Sequence, residues 1–235
     1  NKVNTAVSRD LSGVDRATDE AILTLGQAVL IQAAAVELDS SAHIAKAADA
    51  TVRSQSLGMG ARHIAVGGSV QDKSAVVADQ RVLADKSRLS LRAYEALDLV
   101  DGFSLRQNGL TDITLDAPLI RGVGEKGAVA TVAAEHVAVR NTSGLMADAT
   151  ADKGTTDLKI EARPPVVDAT AEGVTLGKGD VQLAFGSSVL QTTGDVVMRG
   201  KGRLNTQGDA TVVAARVTAD AQADHGVVSN GTLRI

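Results

Sequence analysis

An all-β chain wound as a right-handed parallel β-helix, with roughly ten coils of about 20–24 residues, is the fold class the sequence predicts. Three observations predict it. Short aliphatic runs with period-two alternation recur about every 6–10 residues from residue 21 onward. Equivalent apolar positions repeat at solenoid-like offsets: Leu91 to Leu115, Leu176 to Met198 and Val212 to Ile235 are 24, 22 and 23 residues apart. Large rings are nearly missing, with no Trp, one Tyr (Tyr94) and two Phe (Phe103 and Phe185). A rounded sandwich or barrel fills its interior partly with rings. A narrow bore of stacked equivalent positions needs only Val, Leu, Ile and Ala.

Along the chain, residues 1–20 (NKVNTAVSRDLSGVDRATDE) are polar and weakly patterned, and are assigned as an irregular lead-in or linker. Residues 21–235 are assigned to the β-helix. AILTL, VLIQ and VEL open it as strands. Residues 40–55 are Ala-rich, with Ser40 or Ser41 placed to cap a helix. Strand is nonetheless the expectation there, because ADATVRSQSLGMGARHIAVGG resumes strand and turn punctuation at once. Then follow HIAV, RLSLR, LDLV, ITLD, VATV, VAV, LKI, VTL, VQL, VVM, TVV and LRI. These runs are too short for helices and rich in β-branched residues. Leu115 and Val197 are expected to point inward.

Corners are built from Gly, Asn, Asp and Ser. Gly179-Asp180, Gly194-Asp195 and Gly208-Asp209 each place the same step before a strand. The expectation is a left-handed glycine followed by an Asp bonding forward to backbone N–H groups.

Composition narrows the function. Net charge is −4 with the signs mixed along the chain, which argues against a nucleic-acid footprint. No apolar run approaches the roughly 20 residues of a membrane helix, and Asn1 opens without a signal-peptide pattern. The chain reads as a piece of something longer, stopping in mid-strand at VSNGTLRI. Cysteine is absent, which removes disulfides, thiolate metal sites and cysteine nucleophiles together. That suits a large exported protein that crosses a membrane unfolded, and a cytosolic protein almost as well.

Chemistry-bearing residues were weighed against simpler roles. His43, His63, His136 and His225 share no metal-ligand spacing. Asp98 with Asp101, and Asp112 with Asp116, are the closest approach to the paired carboxylates of sugar hydrolysis. Corner carboxylates bonding to turn backbone explain them with less. GVGEKG (122–127) and GKGD (177–180) lack the Gly-Lys-Ser/Thr ending of a phosphate loop. Lys178-Gly179-Asp180 matches a short cell-adhesion tripeptide, but Gly-Asp recurs here as a corner device. No catalytic, cofactor-binding or metal residue is assigned, and the expectation is not an enzyme.

The segments LSLRAYEALDLVDG (89–102), LTDITLDAPLIRGVG (110–124), GAVATVAAEHVAVRNTSG (127–144) and GDATVVAARVTADA (208–221) together resemble interior segments of the filamentous haemagglutinin family of large exoproteins. The resemblance spans roughly residues 20–235. Where that family carries Ser-Tyr and a second aromatic, this chain has Ala93-Tyr94 and Val100. The resemblance implies a β-helical shaft exported through an outer-membrane two-partner-secretion pore and displayed at the bacterial surface. Its partners would then be a receptor or glycan on a host or neighbouring cell, or a second rod by self-association, and no nucleic acid. Adhesion, filament-like display or the carrying of a toxic tip to a neighbouring cell is the implied role. The alternatives are an extracellular filament subunit polymerising end to end and a carbohydrate-active β-helix enzyme.

Overall fold

A computed structural model describes residues 21–71, 75–78, 80–147, 154–165 and 171–235. The assignment of residues 1–20 lies outside these. In chain order the strands begin with β1 (Ile22–Leu25), β2 (Leu30–Gln32), β3 (Ala35–Asp39), β4 (His43–Lys46), β5 (Thr51–Arg53), β6 (Ser56–Val66) and β7 (Val76–Ala78). A one-turn helix α1 (Gln80–Leu83) precedes β8 (Arg88–Val100), β9 (Ser104–Arg106), β10 (Asp112–Asp116), β11 (Leu119–Val123), β12 (Val129–Ala134) and β13 (His136–Arg140). Then come β14 (Asp157–Ala162), β15 (Glu172–Leu176), β16 (Val181–Ala184), β17 (Ser187–Thr192) and β18 (Asp195–Met198). The last are β19 (Lys201–Thr206), β20 (Asp209–Val213), β21 (Arg216–Ala219), β22 (Asp224–Ser229) and β23 (Leu233–Arg234). Residues 40–55 are strand and turn, as their punctuation predicts.

Pairing is parallel throughout these strands, in a nearly closed, solenoid-like sheet. The first face stacks β3, β6, β8, β10, β13, β15, β18 and β21. The second stacks β7, β6, β8, β11, β16, β19 and β22. The third stacks β9, β12, β14, β17, β20 and β23. β6 and β8 serve two faces because each runs round a corner. Arg88–Arg92 of β8 pair with β10, and Ala96–Val100 pair with β11. RLSLR and LDLV, which the sequence presents as two runs, are therefore one bent strand.

Registers show why the aliphatic spacing matters. Leu91 pairs with Leu115 and Leu115 with Val139, while Leu176 pairs with Met198. Leu105, Val132, Ile160, Leu190 and Val212 form an equivalent column on the third face. These residues belong to one continuous apolar core, against which Met198 packs. Removing such area from water stabilises by about 25 cal/mol per Å², and identical neighbours above and below repeat the gain at each level. Val197 is a correction. It pairs with Thr175 and Thr218, in the row that also holds Ser90, Thr114 and Ala138, so it lies on the outward row and outside the main core, although it is itself buried at 6 % exposure. Val196 and Met198 are the inward pair.

Phe185 shows how narrow the interior is. A Cβ on Gly122 would lie 2.6 Å from the Phe185 ring and 2.0 Å from Thr156 Oγ1. Gly122 thus makes room for the only large ring in the fully buried core.

Two excursions break the regular winding. Ser56 pairs with Arg88, an offset of 32 residues, because the chain after β6 makes β7 and α1 before starting β8. Val137 pairs with Val174, an offset of 37. On the second face β11 pairs directly with β16, and among the described residues between β13 and β14 no strand lies there. The return of the chain is pinned by the Thr155 N–H, which donates to Gly122 O at 3.0 Å.

The Gly-Asp corners also differ from expectation. Only Gly179 has a left-handed backbone, with φ +89°. Gly194 and Gly208 are needed for closeness instead: a Cβ on either would lie 2.1 Å from Ala171 O or 1.8 Å from Gly186 O. Asp195 and Asp209 reach the next level rather than forward along the chain. Asp195 pairs with Arg216, and Asp209 Oδ1 accepts the Thr232 N–H at 2.8 Å.

Candidate functional site

Stacking turns a modest sequence feature into a surface. On the first face Asp39, Gly60, Arg92, Asp116 and Arg140 are register partners in one outward column. Charge alternates along it. Asp116 is 1 % exposed and accepts from Arg92 Nε (3.4 Å), Arg140 Nε (3.0 Å), and the N–H and hydroxyl of Thr142 (2.7 Å each). The column holds Gly60 because a Cβ there would sit 2.4 Å from Asp39 Oδ1. With no side chain in the way, Asp39 reaches past the β6 level to β8 and accepts the Tyr94 hydroxyl at 2.9 Å. Burial raises the Tyr94 pKa, and the Asp39 hydrogen bond raises it further. Burial alone would lower that of Arg92, but Asp116, Tyr94 and Asp39 together more than offset it and the net direction is upward. At the other edge of the same strands Arg88 meets Asp112 at 3.2 Å, and Arg216 holds Asp195 through two bonds.

A second group lies on the outward side of the second face yet is buried. Asp98, between Ala65 and Arg121 in register, is 0 % exposed. Arg121 donates to both its oxygens, Nε to Oδ1 at 3.0 Å and Nη2 to Oδ2 at 2.8 Å. His63 Nε2 donates to Oδ2 at 3.0 Å. Val70 and Ala75, from the excursion after β6, pack with Ala65 and Val100 beside it. Burial pushes the Asp98 carboxyl up, but the hydrogen bonds and charges of His63 and Arg121 outweigh it and hold the pKa below its ordinary value. A general acid needs the opposite shift.

The third group sits at the third-face corner. Glu161 is bound by Lys159 (2.6 Å), by Arg163 (3.6 Å) and by Arg106, two levels away. Arg106 reaches it because Ala133 stands between them in register. The Lys159 hydrogen bond, more than the burial that opposes it, lowers the Glu161 pKa. The cluster borders an open notch of about 260 Å³.

The residues singled out from sequence are scattered by the fold. Asp98 is on the second face; Asp112 and Asp116 are on one strand of the first. Four strand residues separate the latter pair by about 13 Å, wider than the spacing of either hydrolytic mechanism. Asp101 is an exposed turn residue with φ 51° whose N–H donates to Val123 O. His136 Nδ1 donates to Glu172 O (2.6 Å) and His225 Nε2 to Gly177 O (2.9 Å). His43 lies on β4. Among the described residues no three or more His, Cys, Asp or Glu gather as a metal site. Gly179 of the Lys-Gly-Asp triplet is a corner whose N–H bonds to Lys201 O, and GVGEKG leads from β11 into strand β12, not into a helix. Arg92, Arg121, Tyr94 and Glu161 are absent from the sequence-derived candidates. For Arg88–Asp112 and Arg92–Asp116 a signal existed: both pairs share the 24-residue offset of Leu91 and Leu115.

Fold and site together define a solenoid-like parallel β-stack whose outer rows are tied level to level by ion pairs. No protein-family model, curated protein or solved structure matches the chain.

Proposed function

We infer that this chain is a shaft segment of a secreted, surface-displayed bacterial exoprotein, wound as a right-handed β-helix of roughly ten coils of about 20–24 residues. Its task is mechanical: to hold adhesive or filament-forming surfaces away from the cell. At about 4.8 Å per level, ten coils make a rod of roughly 50 Å. The observation that carries this reading is the continuous parallel pairing of the first face, eight strands from β3 to β21. Such a ladder resists bending because each level is bonded to the next along its whole width. The motif series shared with filamentous haemagglutinin-like exoproteins supplies the cellular setting: export through an outer-membrane two-partner-secretion pore, then contact with a receptor or glycan on a host or neighbouring cell.

Two measurements test this. Solution scattering and negative-stain microscopy of the purified chain should give rods of fixed width; a near-spherical particle rejects the shaft, and open-ended fibres transfer the role to a polymerising subunit. In a bacterium carrying the parent gene, in-frame deletion of residues 21–235 should leave export intact and reduce adhesion. Undiminished adhesion rejects the display role.

A further inference from the structure

Three levels meet at the third-face corner: the turn at residues 107–110, residues 133–135 above it, and Arg163 above those. The Glu135 N–H donates to Leu110 O at 3.2 Å and the Arg163 N–H to Ala134 O at 2.9 Å, which ties the levels together. Gln107 fixes the lowest of them, since its amide donates to Leu83 O and Lys86 O and accepts the Asp85 N–H. The middle level carries two alanines, Ala133 and Ala134, and the turn below them includes Gly109. Small residues between longer ones leave a recess, the notch of about 260 Å³. Its apolar lining is Ala133, Ala134 and the edge of the buried Leu110.

Charge in this recess is only partly used. Arg106 and Arg163 both turn to Glu161, each through one nitrogen. A guanidinium has five N–H donors, and these two side chains are 50 % and 69 % exposed, so donors on both remain for a ligand. Glu135 lines the same notch and is half-buried. Among the described residues no cation pairs with its carboxylate. The lining thus holds two cations and two carboxylates, with spare donors on the arginines and a spare acceptor on Glu135.

We propose that this notch binds a free α-amino acid with a short aliphatic side chain. Its carboxylate sits on the Arg106 and Arg163 guanidinium groups, its ammonium on Glu135, and its side chain against Ala133, Ala134 and Leu110. Charge decides the class. A carboxylate on guanidinium makes strong, often bidentate hydrogen bonds. A ligand carrying negative charge alone meets Glu135 uncompensated, and one carrying positive charge alone meets the arginines. Like-charge contact of this kind is how a site rejects the wrong ligand, and a zwitterion escapes both penalties. Size agrees: a cavity of about 150 Å³ holds a benzene ring, so about 260 Å³ suits a molecule of the bulk of valine. The site does not depend on the shaft role.

The test is a titration of the full chain with L-valine, followed by amide NMR. Gly109, Ala133, Ala134 and Glu135 should shift saturably, while Val189 and Val212, farther along the third face, should stay still. Isovalerate lacks the ammonium and isobutylamine lacks the carboxylate; each should bind at least tenfold more weakly than valine, as should inorganic phosphate. Glu135→Gln should weaken valine at least tenfold yet strengthen isovalerate several-fold, an exchange of preference that a merely structural effect does not produce. Arg163→Gln should weaken both ligands. The analogue series on the unaltered chain decides the matter even where a variant folds poorly. Three results overturn the proposal: no saturable shift at tens of millimolar valine, isovalerate or phosphate binding as tightly as valine, or Glu135→Gln leaving valine binding unchanged.

Discussion

Replacing Arg121 by Leu probes the fully buried charge of Asp98. Asp98 is fully buried and receives three charge-assisted hydrogen bonds, two of them from Arg121. Hydrogen bonds to charged groups contribute about 1.5–3 kcal/mol each. Removing one partner of a buried pair costs about 3–5 kcal/mol, because the remaining charge stays desolvated. The expected loss for Arg121→Leu is therefore about 3–5 kcal/mol, read as a fall in melting temperature of roughly 10 °C at about 2–4 °C per kcal/mol. Stacked arrays need not unfold as one unit, so amide exchange at Leu97, Leu99 and Ile120 should accelerate in parallel. The triple change of His63, Asp98 and Arg121 to Leu removes all three of these charges and should recover most of the loss. Acid adds an independent readout. The folded Asp98 pKa is lowered, so the folded state holds fewer protons than the unfolded one near the ordinary carboxyl value of about 3.9. This contribution is present above about pH 4–5 and is lost as pH falls through the lower folded value. Arg121→Leu should flatten that acid limb. A shift below about 1 kcal/mol with an unchanged acid limb would show that Asp98 is solvated and the reasoning wrong.

Other outcomes follow from single contacts. Gly122→Val should cost about 1–3 kcal/mol in urea unfolding through the clash with Phe185 and Thr156, and Phe185→Leu in the same chain should return part of it; additive losses would reject the shared space. Leu115→Thr should destabilise by several kcal/mol on the scale of large-to-small core changes, about 2–5 kcal/mol, whereas Val197→Thr, buried but on the row it shares with Thr175 and Thr218, should cost less, about 1 kcal/mol. Equal thermal shifts would invert the assigned parity. Tyr94 is the sole tyrosine, so its ionisation is read directly by ultraviolet absorbance. The wild-type transition should lie above the ordinary value, and Gly60→Ala, by displacing Asp39, should move it down; an unmoved titration would exclude that hydrogen bond.

Much of this architecture was legible before any coordinates. Alternation in RLSLR and ITLD exposes both faces of a strand, because polar and apolar residues mark opposite sides. The offsets from Leu91 to Leu115 and from Leu176 to Met198 then give the level-to-level register. Where alternation failed, so did the reading. Val196-Val197-Met198 is apolar throughout and carries no mark of parity; only pairing with Val174 and Leu176 shows which two face inward.

The sequence by itself determined the strands, their approximate spacing and an interior built from small aliphatic residues, since these follow from local alternation and from residue size. Tertiary structure decided where the winding is interrupted and which charges meet. Whether a glycine serves a left-handed turn, as Gly179 does, or yields space to a neighbouring level, as Gly60 and Gly208 do, depends on atoms 20 or more residues away. The same holds for Asp98, whose neighbours His63 and Arg121 are 35 and 23 residues distant. Burial and ion pairing at that separation arise only when levels stack, because no local pattern encodes what lies above or below a strand.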